Sequence, residues 1–169
     1  VQKFGENGTF IDAYGSCGTG DLEFNFEHGT GDPDGGIDID SDGNIYIADT
    51  GNDRVVKLNS TGGFVKTIGT AGNAAGQFAS PVAIEIDSND NLWVTDEDNG
   101  GKIVKYDTDG VYGSLEITDD LVDPASVASN STHLVVVDTN DDEVKIYKIS
   151  EGNAAPAATF GGNGSGTGQ

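Results

Sequence analysis

The sequence predicts an all-β propeller segment of three full four-stranded blades and a half blade, and three observations carry that prediction. Pro33, Pro81 and Pro124 each open a copy of one segment and stand 48 and 43 residues apart, while the matching aspartates Asp49, Asp96 and Asp138 stand 47 and 42 apart. A recurrence in that range, with several short strands per unit, marks propeller blades. Within each copy apolar and polar residues alternate with the period of a half-buried strand, and no window shows the 3.6-residue apolar period of a long helix. Finally, 26 glycines against a hydrophobic fraction of 35% supply tight turns rather than a large core.

Residues 1–32 read as half a blade and a linker. Val1-Gln2-Lys3-Phe4 matches Val55-Val56-Lys57-Leu58, the third strand of the next copy, so only strands c and d precede the linker 15–32. Blade 33–80 places strands a to d at 36–40, 44–50, 54–59 and 64–69. Blade 81–123 places them at 82–87, 91–96, 102–107 and 112–117. Blade 124–160 places them at 125–128, 133–138, 143–149 and 157–160. Residues 161–169 are similar to the linker before the second copy and point to a missing blade. Fourteen strands result, whereas even a four-bladed ring needs sixteen. An open arc is therefore expected, part of a larger propeller or assembly, its edges covered by further blades or by other copies in a ring or filament. The chain contains no Met, not even an initiator, which predicts a processed or excised piece. Trp93 and the aromatics Phe4, Phe10, Tyr14, Phe64, Tyr106, Tyr112, Tyr147 and Phe160 are expected between blades.

Eight basic residues against 29 acidic ones give a formal charge of −21. A charge of that size repels phosphate backbones and favours cations, so protein partners or other copies are expected and nucleic acid is excluded. The longest apolar run, 134–137, is too short to insert in a membrane. One cysteine, Cys17, allows no internal disulfide framework.

The frame of the first copy is carried by Pro33, Gly36, Ile37, Asp40, Gly43, Asn44, Ile45, Tyr46, Ala48, Asp49, Thr50, Gly51, Asn52, Arg54, Val55, Lys57 and Phe64, followed by the linker Gly76, Gln77, Phe78 and Pro81. It resembles the NHL repeat. The likeness is close in the first copy, fair in the second, and broken in the third, where SNSTHL replaces the D-x-x-G-N turn. The resemblance implies a propeller, commonly six-bladed, with strand a nearest the channel and ligands held by the d–a and b–c loops. It fixes no activity, because the fold hosts binding modules and a few lyases.

Oxygen ligands at alternate positions followed by glycine suit calcium, and Asp38, Asp40, Asp42 and Gly43, with Asp49 twelfth, fit that spacing. Ca2+ is the one cofactor indicated. The competing reading makes 41–44 the a–b hairpin turn. A second acidic set, Asp53, Glu97, Asp98, Asp141, Asp142 and Glu143, falls on b–c loops that lie side by side in a propeller, either as a rim for Ca2+ or a cationic partner or, on the competing reading, as the solvated surface of an acidic protein. Asp49, Asp96 and Asp138 are expected to be structural, accepting N–H groups of the following loop or pairing with a base such as Arg54. No catalytic residue is assigned, since His28 and His133 alone cannot build a histidine cluster. Four sequons, at Asn7, Asn59, Asn130 and Asn163, are candidate glycosylation sites of a secreted or cell-surface protein. The expected function is a non-catalytic extracellular binding or scaffold module within a cell-surface or filamentous assembly. The alternative is a fragment of a propeller lyase or hydrolase, similar to streptogramin lyase, with catalytic residues partly outside this segment.

Overall fold

The computed structural model describes residues 1–28, 32–98, 100–107, 109–151 and 155–162, with the backbone alone at His28, Asp32, Pro33 and Glu151. β1 (Gln2–Phe4) and β2 (Phe10–Ala13) form an antiparallel hairpin with Lys3 opposite Asp12. The linker that follows holds two small sheets that alternation does not announce, because two-residue strands are too short to show a period. β3 (Ser16–Cys17) runs parallel to β4 (Glu23–Phe24), and β5 (Glu27–His28) runs antiparallel to β6 (Asp32–Pro33).

Three four-stranded antiparallel meanders come next, each with its strands side by side in chain order. The first contains β7 (Ile37–Ile39), β8 (Ile45–Asp49), β9 (Arg54–Leu58) and β10 (Phe64–Ile68). The second contains β11 (Pro81–Ile86), β12 (Leu92–Asp96), β13 (Lys102–Tyr106) and β14 (Tyr112–Ile117). The third contains β15 (Pro124–Ser129), β16 (His133–Asp138), β17 (Glu143–Lys148) and β18 (Ala158–Gly161). Register repeats with the sequence: Ile45 faces Leu58, Leu92 faces Tyr106 and Leu134 faces Tyr147.

The a–b turns are closed by side chains that imitate backbone acceptors. Asp40 Oδ1 accepts the N–H groups of Asp42 and Asn44, and Asp87 Oδ1 accepts those of Asn89 and Asn91. In the third sheet the divergent turn keeps this device by exchanging the carboxylate for an amide, as Asn130 Oδ1 accepts from Thr132 and His133.

The core lies between sheets. Tyr46, Ala48, Val55 and Ile68 of the first sheet meet Ile84, Leu92, Val94, Val104 and Tyr106 of the second. Trp93, Ile103 and Ile117 meet Val127, Leu134, Val136 and Tyr147 of the third. Each valine, leucine or isoleucine among them contributes about 1.5–3 kcal/mol by leaving water. β8 and β12 are buried along their whole length because both faces are covered, whereas β16 alternates and leaves Val135 and Val137 exposed. The expected packing of the aromatics holds for Trp93, Tyr106 and Tyr147 and, in half-buried form, for Tyr14, Phe64 and Tyr112. It does not hold for Phe4, Phe10 and Phe160, which are exposed on the two sheets at the ends of the arc.

Polar ties join neighbouring sheets at strand a. Asp38 Oδ2 accepts from Ile86 N at 2.7 Å, and Glu85 Oε1 accepts from Ser129 N and Oγ at 2.8 and 2.6 Å. Gly36 N donates to Val82 O at 2.6 Å, an approach so close that a Cβ on Gly36 would stand 2.6 Å from that oxygen. Only glycine fits there.

Candidate functional site

Antiparallel order puts the b–c loops and the d–a linkers at one end of every sheet, and the a–b and c–d turns at the other. The first end is built on Asp49, Asp96 and Asp138, which close strand b and are all fully buried. Each carboxylate reaches across to the segment before strand a. Asp49 accepts from Asn25 N at 2.7 Å, Asp96 from Ser80 N at 2.6 Å and Ala79 N at 3.1 Å, and Asp138 from Val122 N and Asp123 N at 3.0 Å. The expected structural role is therefore observed, with one correction: the backbone donors come from the preceding linker. From the following loop, the Asn52 side-chain amide also donates to Asp49.

Each aspartate also meets a base on strand c, but the three meetings differ. Arg54 Nε donates to Asp49 at 2.7 Å, and its remaining donors hold the carbonyls of Thr19, Gly20 and Glu23 in the long linker. Lys145 is fully buried, with Nζ 2.9 Å from Asp138, 2.8 Å from Asp141 and 3.6 Å from Glu143. Burial pushes the Asp138 carboxyl up, yet Lys145 and the Val122 and Asp123 amides outweigh it and hold the group below the usual carboxylate range. Lys102 instead donates to Gln77 O at 2.7 Å and stays 3.7 Å from Asp96. Burial then dominates and keeps the Asp96 carboxyl above the usual range despite the Ser80 and Ala79 amides. Beside it the Ser80 hydroxyl is buried with no hydrogen-bond partner among the described residues.

The predicted rim residues occupy this same end. Asp53 and Asp142 take left-handed backbone angles, φ 53° and 56°, immediately before strand c, where the second sheet has Gly101 at φ 67°. Asp98 and Asp142 are exposed, while Asp53, Glu97, Asp141 and Glu143 are half-buried. Among the described residues, clefts open here. One of about 190 Å³ is lined by Asp98, Gly101, Lys102, Glu116 and neighbours, and one of about 280 Å³ by Val137, Asp138, Thr139, Asp142, Glu143 and Val144. Lys145 escaped the sequence reading because Glu143, not a base, heads strand c of that copy, and the base sits two residues on.

The calcium candidates are not brought together. Asp38 accepts from Ile39 N and from Ile86 N of the next sheet, and Asp40 closes its own turn, accepts from Tyr46 Oη at 3.1 Å and lies 3.4 Å from Lys57. Asp42 is exposed at the turn, and Asp49 lies at the opposite end of strand b. Among the described residues no group of three His, Cys, Asp or Glu side chains is arranged to hold a metal ion. Asn7, Asn59 and Asn130 all lie in turns at the end away from the rim, and His133 opens β16 at that end too. The Asn163 sequon and the His28 side chain lie outside the described residues.

No curated protein matches this sequence. Among solved structures the chain resembles a streptogramin B lyase, with TM-score 0.58 and 19% identity over 74% of this chain and 39% of that one. It also resembles selenomethionine-substituted virginiamycin B lyase from Staphylococcus aureus, with TM-score 0.63 and 15% identity over 95% of this chain and 47% of that one. At such identities the likeness shows the fold, and the chain spans less than half of either structure. Residues 37–147, from β7 into β17, match the family described as 6-bladed beta-propeller, and the chain belongs to that family.

Proposed function

We propose that the protein is a non-catalytic, extracellular binding module of NHL type whose b–c loop end takes a basic polypeptide. One observation carries this reading. Three successive loops bring six carboxylates to one end of the arc, where they outnumber the bases Arg54, which pairs with the buried Asp49, Lys102, held on the Gln77 carbonyl, and Lys145, which pairs with Asp138 beneath and with Asp141 and Glu143 of the rim. The field at that end is strongly negative and attracts cations from solution. The described sequons face the other way, so glycans there leave the rim clear. The test is a titration with a lysine- and arginine-rich peptide at low and physiological salt. Binding should weaken with salt and fall several-fold in the Asp98→Asn/Asp142→Asn double variant; binding indifferent to both would refute it.

The second reading is a lyase, favoured by the names of the two structures whose fold the chain shares. Against it, His133 stands at the end opposite the rim clefts. Turnover of a streptogramin B by the purified protein would establish the lyase and displace the binding module.

A further inference from the structure

The buried aspartates Asp49, Asp96 and Asp138 hold equivalent positions, yet the second differs from the others in how its charge is met. Arg54 Nε donates to Asp49 at 2.7 Å, and Lys145 Nζ donates to Asp138 at 2.9 Å. Lys102, the base of the second sheet, gives its ammonium to Gln77 O at 2.7 Å and stands 3.7 Å from Asp96 and 3.8 Å from Glu116. Among the described residues it hydrogen-bonds to neither carboxylate. A buried carboxylate without a cation in contact keeps much of its desolvation cost. Burial accordingly holds the Asp96 carboxyl above the usual range, whereas contact with Lys145 holds Asp138 below it.

The Ser80 hydroxyl marks the same place independently. Ser80 is wholly buried, its N–H donates to Asp96 Oδ1 at 2.6 Å, and its carbonyl accepts from Glu97 N at 3.1 Å. It thus lies between the carboxylate and the start of the b–c loop, and its hydroxyl has no hydrogen-bond partner among the described residues. Buried polar groups are satisfied in nearly all folded chains, so an unsatisfied one beside an uncompensated carboxylate points to use. The cleft of about 190 Å³ at this sheet has Lys102, Glu116, Asp98 and Thr118 in its wall. The first and third sheets flank the second, so none of this depends on the ends of the arc.

We propose that this cleft is where the basic polypeptide anchors, by one lysine or arginine side chain. The inference rests on the reading of the rim as a face for cations and names its point of attachment. The guest cation pairs with Glu116 and Asp98 and takes over the Gln77 carbonyl. Lys102, released from that carbonyl, closes on Asp96 as Lys145 does on Asp138, with the Ser80 hydroxyl as a further acceptor. The second site then matches its neighbours, and the buried carboxylate and hydroxyl are both satisfied. Around Asp96 the ionisable groups are Lys102 and Tyr106 on β13, Glu116 on β14, and Glu97 and Asp98 on the b–c loop. The linker 69–80 and β15, which packs on β12, carry none.

Carbon-detected titration of the chain, with and without the lysine- and arginine-rich peptide at low salt, tests the anchor. Peptide should lower the Asp96 midpoint by about one unit or more, the effect of a cation brought into contact, and leave that of Asp138 in place. Glu116→Gln keeps an acceptor for Gly76 N but should weaken peptide binding about threefold or more, as loss of a half-buried ion pair does. Ser80→Ala should also weaken it while leaving the free chain at least as resistant to urea, because the hydroxyl removed bonds to nothing there. Binding with the Asp96 midpoint unmoved, with Asp138 moving in its place, or unchanged by both variants overturns the anchor and leaves the rim reading standing. Absence of peptide binding refutes the rim reading and the anchor with it.

Discussion

Replacing Lys145 by methionine should destabilise the fold at neutral pH by about 3–5 kcal/mol, the usual loss when one partner of a buried ion pair is removed. Methionine keeps most of the apolar stem, so packing changes little. What goes is an ammonium within 3 Å of both Asp138 and Asp141 that also donates to Asp120 O at 2.6 Å. Asp138, fully buried, then keeps only the Val122 and Asp123 amides. The pH dependence follows from the direction of the shifts. The Asp138 carboxyl is held below its ordinary value, so its stabilisation is present above that value, about 3.9, and is lost as pH falls through the folded one. Burial pulls the Lys145 ammonium down, but Asp141 and Asp138 outweigh it and raise the group, so its contribution is complete throughout the acid and neutral range. In the variant the Asp138 carboxyl rises and protonates more readily, so the penalty shrinks on acidification. Urea unfolding read by the fluorescence of the single, buried Trp93 measures this directly. With a slope of about 1–3 kcal/mol/M, the midpoint should fall by roughly 1–5 M at pH 7. Adding Asp138→Asn should recover a large part of the loss. A midpoint within about 0.3 M of wild type at pH 7, or a penalty that grows toward acid, would refute the reasoning.

Trp93→Phe keeps the ring in the core but removes the Nε1 donor to Asp87 Oδ2 at 3.0 Å, so unfolding should become easier by about 1–3 kcal/mol, read by urea denaturation in circular dichroism. Asp38→Ala leaves Ile86 N without its acceptor and should cost about 1–2 kcal/mol, with faster exchange of that amide as the specific sign. Carbon-detected titration should place the Asp96 carboxyl midpoint above the ordinary aspartate value and that of Asp138 below it, and the reverse order would contradict the geometry of Lys102 and Lys145. Thermal midpoints should rise with sodium chloride, because salt screens the self-repulsion of 21 net negative charges.

Strand positions were legible in the sequence because each is repeated with its partner: residues 64–69 read as strand d, and the strand is Phe64–Ile68. The structural role of Asp49, Asp96 and Asp138 was legible for the same reason. Their donors were less so: Ser80 and Asp123 stand immediately before the repeat prolines Pro81 and Pro124, but Asn25 lies eight residues before Pro33, inside the long linker. The difference between Asp96 and Asp138 was also hidden, because it depends on whether a lysine turns toward a carboxylate or toward the Gln77 carbonyl. Asp38 illustrates the limit of spacing as evidence. Its alternation with Asp40 and Asp42 fits a metal loop in one dimension, but strand geometry turns Asp38 toward the next sheet and Asp40 back into its own turn.

The contrast between the wholly buried β12 and the one-sided β16 bears on how the molecule comes apart. Sheets that touch only their neighbours behave as a row of coupled units whose stabilities add through shared contacts. The second sheet is anchored from two sides, the third from one, so thermal opening should enter at the ends of the row and travel inward. Protection of main-chain amides then becomes a gradient along the arc, steepest around Leu92–Asp96, and the loops best placed to rearrange around a visitor are those on the outermost sheets.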